Sequence, residues 1–150
     1  MKFFSGFSLK NEQHFFNDFI HNSEYTVCGF SYGSLKALKY VQECLNNSIR
    51  VDRLQLFSPI FFQTKDKNFK RLQLMSFKKD ESAYIKQFSE FCFAPYAIKE
   101  LESEDNSLED LQELLEYIWQ ENELKEIVQK GVKLEIYLGS QDKIIDVLSA

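Results

Sequence analysis

A serine flanked by glycines constrains this chain more than any other feature of its sequence. Residues 29–33 read Gly-Phe-Ser-Tyr-Gly, with Ser31 at the centre. The apolar, β-branched segment 25–28 before it predicts a buried strand, and apolar residues at helical spacing over 35–45 predict an amphipathic helix after it. A strand that turns sharply into a helix presents the serine hydroxyl at the tip of the turn, and the glycines leave room for that turn. The pattern predicts a nucleophile at Ser31; the alternative is a glycine-bounded turn whose serine has no chemical role.

The remaining pattern predicts one α/β domain over residues 1–150. Strands are predicted at residues 2–5, 25–28, 51–57 and 132–138, and helices at residues 11–20, 35–45 and 123–130. Between the third and fourth strands, residues 60–121 contain three helical stretches and no convincing strand, so this block is predicted to be a helical lid inserted before the last strand. Four strands separated by helices indicate a short, mostly parallel sheet. Together with the turn at Ser31, this order predicts a minimal α/β-hydrolase-like fold.

Composition limits the classes of protein to which the chain can belong. Its formal net charge of -5 argues against nonspecific nucleic-acid binding, which needs a broad basic surface. Cys28, Cys44 and Cys92 have no metal-ligand spacing and lie among apolar neighbours, which predicts reduced thiols and a cytoplasmic location. No apolar segment reaches the length that spanning a membrane requires. The sequence implies neither a metal nor an organic cofactor.

A serine nucleophile also needs hydrogen-bond donors for the oxyanion that forms on its substrate. Residues 5–8 leave the first predicted strand at the edge of the sheet where active groups gather. The backbone N–H groups of Phe7 and of Tyr32, which follows the serine, are therefore predicted to form an oxyanion hole. Gly6 would let the substrate approach closely; the alternative is an ordinary glycine at the end of a strand.

The sequence offers a candidate for the acid of a catalytic triad but no well-placed candidate for its base. Asp142 follows the last predicted strand and comes after the serine in chain order, which makes it the predicted acid; the alternative is a helix N-cap. Asp146 is a weaker substitute, one helical turn further on. His14 and His21 precede the serine, and we expect each to serve in surface or core packing. Because loss of a triad base costs several orders of magnitude in turnover, we expect the chain as written to hydrolyse esters very slowly.

Four segments together resemble the pimeloyl-[acyl-carrier protein] methyl ester esterases of the BioV type. They are residues 1–7 (MKFFSGF), 29–37 (GFSYGSLKA), 56–59 (LFSP) and 69–74 (FKRLQL), and residues 130–136 and 139–142 continue the likeness over nearly the whole chain. The resemblance implies an esterase of biotin synthesis that removes the methyl group from pimeloyl-acyl-carrier protein methyl ester. It also implies that Ser31 is the nucleophile and Asp142 the acid. The family has a histidine in an Asn-His-Leu type motif beyond a final strand, and residues 143–150 contain no such motif, so a truncated form and a decayed relative are both expected possibilities.

A cluster of basic residues marks the predicted lid of an otherwise acidic chain. It consists of Lys65, Lys67, Lys70, Arg71, Lys78 and Lys79. Such a cluster is typical of a solvated helix face, and the family resemblance favours instead a docking surface for an acidic acyl carrier protein. Two further functions use the same features: a catalytically silent relative that binds the carrier protein, and a thioesterase or lipase acting on another acyl chain.

Overall fold

Four short parallel strands form the central sheet of the chain. In the computed structural model, which describes residues 1–93, 102–103 and 106–139, the strands are β1 (Lys2–Phe4), β2 (Leu9–Lys10), β3 (Thr26–Phe30), β4 (Arg53–Phe57), β5 (Glu102–Ser103) and β6 (Lys133–Tyr137). The central sheet has the order β1-β3-β4-β6, with every neighbouring pair parallel. The α/β class that the sequence predicts is therefore confirmed.

Five α-helices and one 3-10 helix lie in the described part of the chain. They are the 3-10 helix Glu12–Phe16, followed by α1 (Gly33–Asn46), α2 (Lys67–Lys79), α3 (Glu81–Phe93), α4 (Leu108–Glu116) and α5 (Glu121–Gln129). Asp66 caps α2 through its side chain, and Ser107 and Asp110 cap α4 as a capping box. The three helical stretches predicted between residues 60 and 121 correspond to α2, α3 and α4. None of the helices in these ranges combines the length and apolar character needed to cross a bilayer.

Two elements differ from the sequence prediction. The prediction of a helix over 11–20 is wrong, since only a five-residue 3-10 helix forms there. The chain after it turns toward the sheet, where the side-chain amide of Gln55 donates to Phe19 O and accepts from His21 N. Residues 102–103, in a block predicted to lack strands, pair antiparallel with Leu9 and Lys10. A pair of two-residue strands is too short to leave a periodic signal in the sequence.

Two groups of buried side chains hold the elements together. One lies between the sheet and the helices α1 and α5, and it includes Val27, Leu38, Val41, Leu54, Leu56 and Ile127. The other joins α2, α3 and α4 to the ends of β1 and β3, and it includes Phe7, Tyr32, Phe77, Tyr84, Phe88, Leu111 and Leu114. The rings of Phe77 and Phe88 lie 6.2 and 5.6 Å from that of Phe7. The helical block therefore covers the segments that carry Phe7 and Tyr32.

A polar network occupies the opposite face of the sheet, centred on Gln55 in β4. Gln55 is 1% exposed, accepts a hydrogen bond from His21 N at 2.9 Å and donates to Phe19 O at 2.9 Å and to Glu135 Oε2 at 2.8 Å. Glu135 also pairs with Arg53 and accepts from the Tyr137 hydroxyl. The network fastens the loop after the 3-10 helix onto the sheet.

We expect Gln55→Ala to lower the free energy of unfolding by about 2–4 kcal/mol, since it removes a buried side chain together with its hydrogen bonds to His21 N, Phe19 O and Glu135. Chemical denaturation measures the change. Gln129→Ala, which removes the same side chain from an exposed position at the end of α5, should change stability by less than about 0.5 kcal/mol. Equal losses from the two variants would contradict the role of the network.

Candidate functional site

Ser31 occupies the turn between β3 and α1 with an uncommon backbone conformation. Its φ of 53° lies in the left-handed region, which residues other than glycine rarely adopt. Hydrogen bonds hold it there from both sides: its N–H donates to Phe57 O at 2.9 Å, and its C=O accepts from Ser34 N at 3.0 Å and Ile60 N at 3.4 Å. Left-handed conformations of this kind persist where surrounding contacts impose them. The turn therefore stores strain at the residue that the sequence predicts to be the nucleophile.

The flanking glycines are required by close backbone approach. A Cβ on Gly33 would overlap the carbonyl oxygen of Phe4 and lie 2.5 Å from that of Ser5. A Cβ on Gly29 would lie 2.5 Å from the Gly33 carbonyl oxygen and 2.7 Å from the Cα of Ser34. Because these neighbours are backbone atoms, they have little freedom to move aside. The glycines thus provide space, and the unusual dihedral angle belongs to Ser31 itself.

The side chain of Ser31 does not cap helix α1. Ser31 is 4% exposed, and no residue in the described ranges forms a hydrogen bond with its Oγ. The N-cap position of α1 is Tyr32, which makes no side-chain capping bond, and the hydroxyl of Ser34 donates instead to Gly29 O. A serine in a tight turn before a helix often serves as a cap. Ser31 does not have that role here.

The two predicted oxyanion donors lie on segments that meet beside this turn. Pairing of Phe4 with Gly29 brings the chain that leaves β1 alongside the chain that leaves β3. The rings of Phe7 and Tyr32 are 6.2 Å apart, edge to face. Within the residues that the structure describes, neither the Phe7 nor the Tyr32 amide has a hydrogen-bond acceptor. Neither N–H group is therefore committed to an acceptor among these residues.

Glu12 supports the Phe7 segment and was missed by the sequence analysis. Its carboxylate is buried, with the residue 1% exposed, and its Oε1 accepts a 2.7 Å hydrogen bond from Gly6 N. The polar run Lys-Asn-Glu at residues 10–12 is typical of an exposed helix start, so nothing in the local pattern signals this burial. The bond fixes the glycine that immediately precedes Phe7.

The side chain of Tyr32 joins the serine turn to α4. Its hydroxyl lies 3.2 Å from Asp110 Oδ1 and 3.0 Å from Glu113 Oε1. Burial and the hydrogen bond to Glu113 raise the pKa of Tyr32, so the phenol stays protonated and remains a donor. A hydrogen bond from Asn106 holds the pKa of Asp110 below its usual range, so this carboxylate stays ionised. The sequence predicts the cap at Ser107 and Asp110, but no pattern in it indicates the contact between Asp110 and Tyr32.

No described contact links the predicted acid or either histidine to this arrangement. Asp142 and the weaker candidate Asp146 lie outside the described residues. His14 is exposed, with its Nδ1 2.7 Å from Asn11 O and its ring 4.1 Å from that of Phe15. His21 is also exposed, and its backbone amide is bound to Gln55. The described contacts of both histidines are those of surface or packing residues.

A cavity of about 520 Å³ lies at the carboxyl ends of β4 and β6. It is lined by Phe16, Phe19, Phe57, Ser58, Ile136, Tyr137, Leu138 and Gly139. The Phe57 ring stacks between those of Phe16, at 4.8 Å, and Tyr137, at 4.9 Å. Phe57 also links the cavity wall to Ser31, whose amide its carbonyl accepts, whereas Ser31, Phe7 and Tyr32 are not among the residues that line this cavity.

The basic cluster lies on and just before α2. Five of the six side chains are exposed and Lys70 is half-buried, and within the described ranges none of them forms an ion pair. Leu72 and Met75, which are 55% and 56% exposed, share the outer face of α2 with Arg71 and Lys78. The sequence predicted the charges on this face but not the exposure of Leu72 and Met75. The face combines positive charge with an apolar centre.

The structure thus brings Ser31, Phe7 and Tyr32 together, places the basic cluster on the helical block above them and leaves Asp142 undescribed. Comparisons of the chain with protein-family models, with curated proteins and with solved structures find no match.

We expect Gly33→Ala to lower the free energy of unfolding by about 2 kcal/mol or more, because the new methyl group meets the backbone of β1. Thermal and chemical denaturation measure the loss. Gly139→Ala is the matched control, since a Cβ at that position meets no atom of the described residues within 4 Å. A stable Gly33→Ala variant would show that the turn is looser than described.

Proposed function

We propose that this chain is a serine carboxylester hydrolase of the α/β-hydrolase type. Ser31 is the nucleophile, the backbone N–H groups of Phe7 and Tyr32 form the oxyanion hole, and Asp142 is the acid of the triad. The observation that carries the proposal is the left-handed Ser31 held directly between β3 and α1, with its hydroxyl free of any capping bond. A strained serine in that position is the arrangement expected of a nucleophile elbow.

The proposed reaction has two steps. Ser31 Oγ attacks the ester carbonyl carbon and gives up its proton to water, because neither histidine contacts Ser31 within the described residues. The resulting oxyanion accepts hydrogen bonds from the two backbone amides, and the reaction is slow without a triad base. Collapse of the tetrahedral intermediate breaks the bond to the methoxy group, which leaves as methanol after protonation. Water then attacks the acyl-enzyme, releasing the carboxylic acid and restoring the serine hydroxyl.

The proposed substrate is the methyl ester of pimeloyl-acyl-carrier protein, as the sequence resemblance implies. Two observations support a long acyl chain on a carrier. The cavity at the carboxyl ends of β4 and β6 is lined mainly by aromatic and aliphatic side chains, which suit a methylene chain. The outer face of α2 presents unpaired positive charge around Leu72 and Met75, which suits an acidic carrier protein.

A catalytically silent protein that binds the carrier is the second candidate. It is favoured by the position of the two histidines, whose described contacts are with Asn11, Phe15 and Gln55 and not with Ser31. A thioesterase or lipase acting on another acyl chain would use the same serine turn. Products separate the enzymes: an esterase releases methanol, and a thioesterase releases the carrier protein.

Labelling with a fluorophosphonate separates the enzyme from the silent protein. We expect the probe to modify Ser31, because the amides of Phe7 and Tyr32 would stabilise the phosphonyl oxygen during attack. Intact-protein and peptide mass spectrometry identify the modified residue. Ser31→Ala should abolish labelling, whereas Ser48→Ala, which removes an exposed serine that is also left-handed, should leave it unchanged. A folded wild-type protein that takes up no label would overturn the enzymatic proposal.

Charge reversal on α2 tests the carrier-protein surface. We expect the double change Lys70→Glu and Arg71→Glu to weaken binding of an acyl carrier protein about tenfold or more at low salt, with a smaller effect at high salt because counterions screen the charges. Binding is measured by calorimetry on the Ser31→Ala background. The control reverses Lys125 and Lys130 on α5, which pair locally with Glu121 and Glu126. Equal affinity for both double variants at low salt would remove the docking proposal.

A further inference from the structure

The first turn of α4 is bonded to both segments that carry the proposed oxyanion donors. Asn106 Oδ1 accepts a hydrogen bond from Ser8 N, one residue beyond Phe7. Asn106 Nδ2 donates to Asp110 Oδ2 at 2.9 Å. The other oxygen of Asp110 lies 3.2 Å from the Tyr32 hydroxyl. The Tyr32 hydroxyl shares its one proton between Asp110 and Glu113. A chain of polar contacts thus runs from the Phe7 segment, through the helix cap, to the residue after Ser31.

On the Phe7 side, the bond constrains a residue with little freedom of its own. Ser8 is 3% exposed and has a φ of 56°, again in the left-handed region. Its N–H belongs to the peptide unit that directly follows Phe7, and Gly6, which directly precedes Phe7, is bound to Glu12. The Phe7 amide is therefore held between two fixed neighbours, of which one depends on Asn106.

On the Tyr32 side, the bond constrains the side chain of the donor residue itself. The ring is buried, at 2% exposure, with its hydroxyl between Asp110 and Glu113 and the Lys36 ammonium 4.6 Å from its centroid. Rotation of this side chain would require loss of both carboxylate contacts. The contacts therefore fix the side chain of the residue that follows Ser31.

The chemistry at position 106 suits a residue that links two different partners. The Ser8 amide requires an acceptor and the Asp110 carboxylate requires a donor, and a carboxamide offers one of each. The carboxylate is itself held in place by the capping box, in which it accepts from Ser107 N at 2.9 Å. A carboxylate at position 106 would repel Asp110, and an aliphatic side chain would bond neither partner.

We propose that Asn106 and Asp110 are positioning residues that couple the helical block to the oxyanion hole, so that the two donor segments are ordered as one unit. The catalytic consequence rests on the proposed function, whereas the structural coupling does not. Displacement of α4 would release both donors together. The hole would therefore be complete only while α4 is seated.

Amide hydrogen exchange read at the opposite segment tests the coupling directly. Asn106→Ala cuts the bond to Ser8, and Tyr32→Phe removes the hydroxyl link while keeping the ring and the backbone amide. We expect Asn106→Ala to speed exchange of the Ser31 and Ser34 amides about tenfold, and Tyr32→Phe to speed exchange of the Ser8 amide similarly, as measured by NMR. Gln112→Ala, an exposed change on the same helix, should leave these amides unaffected.

Fluorophosphonate kinetics measure the catalytic consequence on the same variants. We expect each variant to lower the maximal inactivation rate constant about 10- to 100-fold while the half-saturating probe concentration stays within about twofold, since mispositioned donors act on the transition state. A general loss of folding would instead change both quantities and the melting temperature.

The outcomes separate the two proposals. Exchange that changes only at the segment next to each substitution would overturn the coupling, whatever the labelling shows. Reciprocal changes in exchange in a protein whose Ser31 takes up no probe would support the coupling and contradict the proposed esterase. If Asn106→Ala does not fold, Tyr32→Phe alone tests the coupling, because that variant must still speed exchange of the Ser8 amide.

Discussion

Close packing of backbone against backbone at the end of β1 is the constraint on which the site depends. The carbonyl groups of Phe4 and Ser5 leave no room for a side chain at Gly33, so α1 begins immediately against the first strand. The start of α1 is fixed there, and Ser31 N donates to Phe57 O. The chain between β3 and α1 therefore adopts a left-handed conformation at Ser31. That conformation costs about 1–3 kcal/mol, which the surrounding hydrogen bonds and buried contacts must offset.

The same constraint brings the functional groups together. Because β1 and β3 end at one edge of the sheet and their chains pack side by side, the rings of Phe7 and Tyr32 come within 6.2 Å of each other. The helical block then covers that edge with Phe77 and Phe88 and binds it through Asn106 and Asp110. Strand ends, helix start and covering helices thus depend on one another.

The sequence predicted those elements and helix caps that depend on residues close together in the chain. The strand before Ser31, the helix after it and the capping box of α4 follow from apolar spacing and from side chains that satisfy free amides, and all three are present. The contacts that assemble the site join residues far apart in the chain, such as Ser8 with Asn106 and Tyr32 with Asp110, and no periodicity encodes them. The burial of Glu12 was missed for the same reason, since its partner is the Gly6 amide in another element.

A crystal structure of the protein after reaction with a phosphonate would show whether the proposed oxyanion hole exists, because the phosphonyl oxygen occupies the position of the oxyanion. We expect phosphorus bonded to Ser31 Oγ, with that oxygen about 2.7–3.1 Å from the amide nitrogens of both Phe7 and Tyr32. An adduct whose oxygen points away from these amides, or phosphorus on another residue, would contradict it.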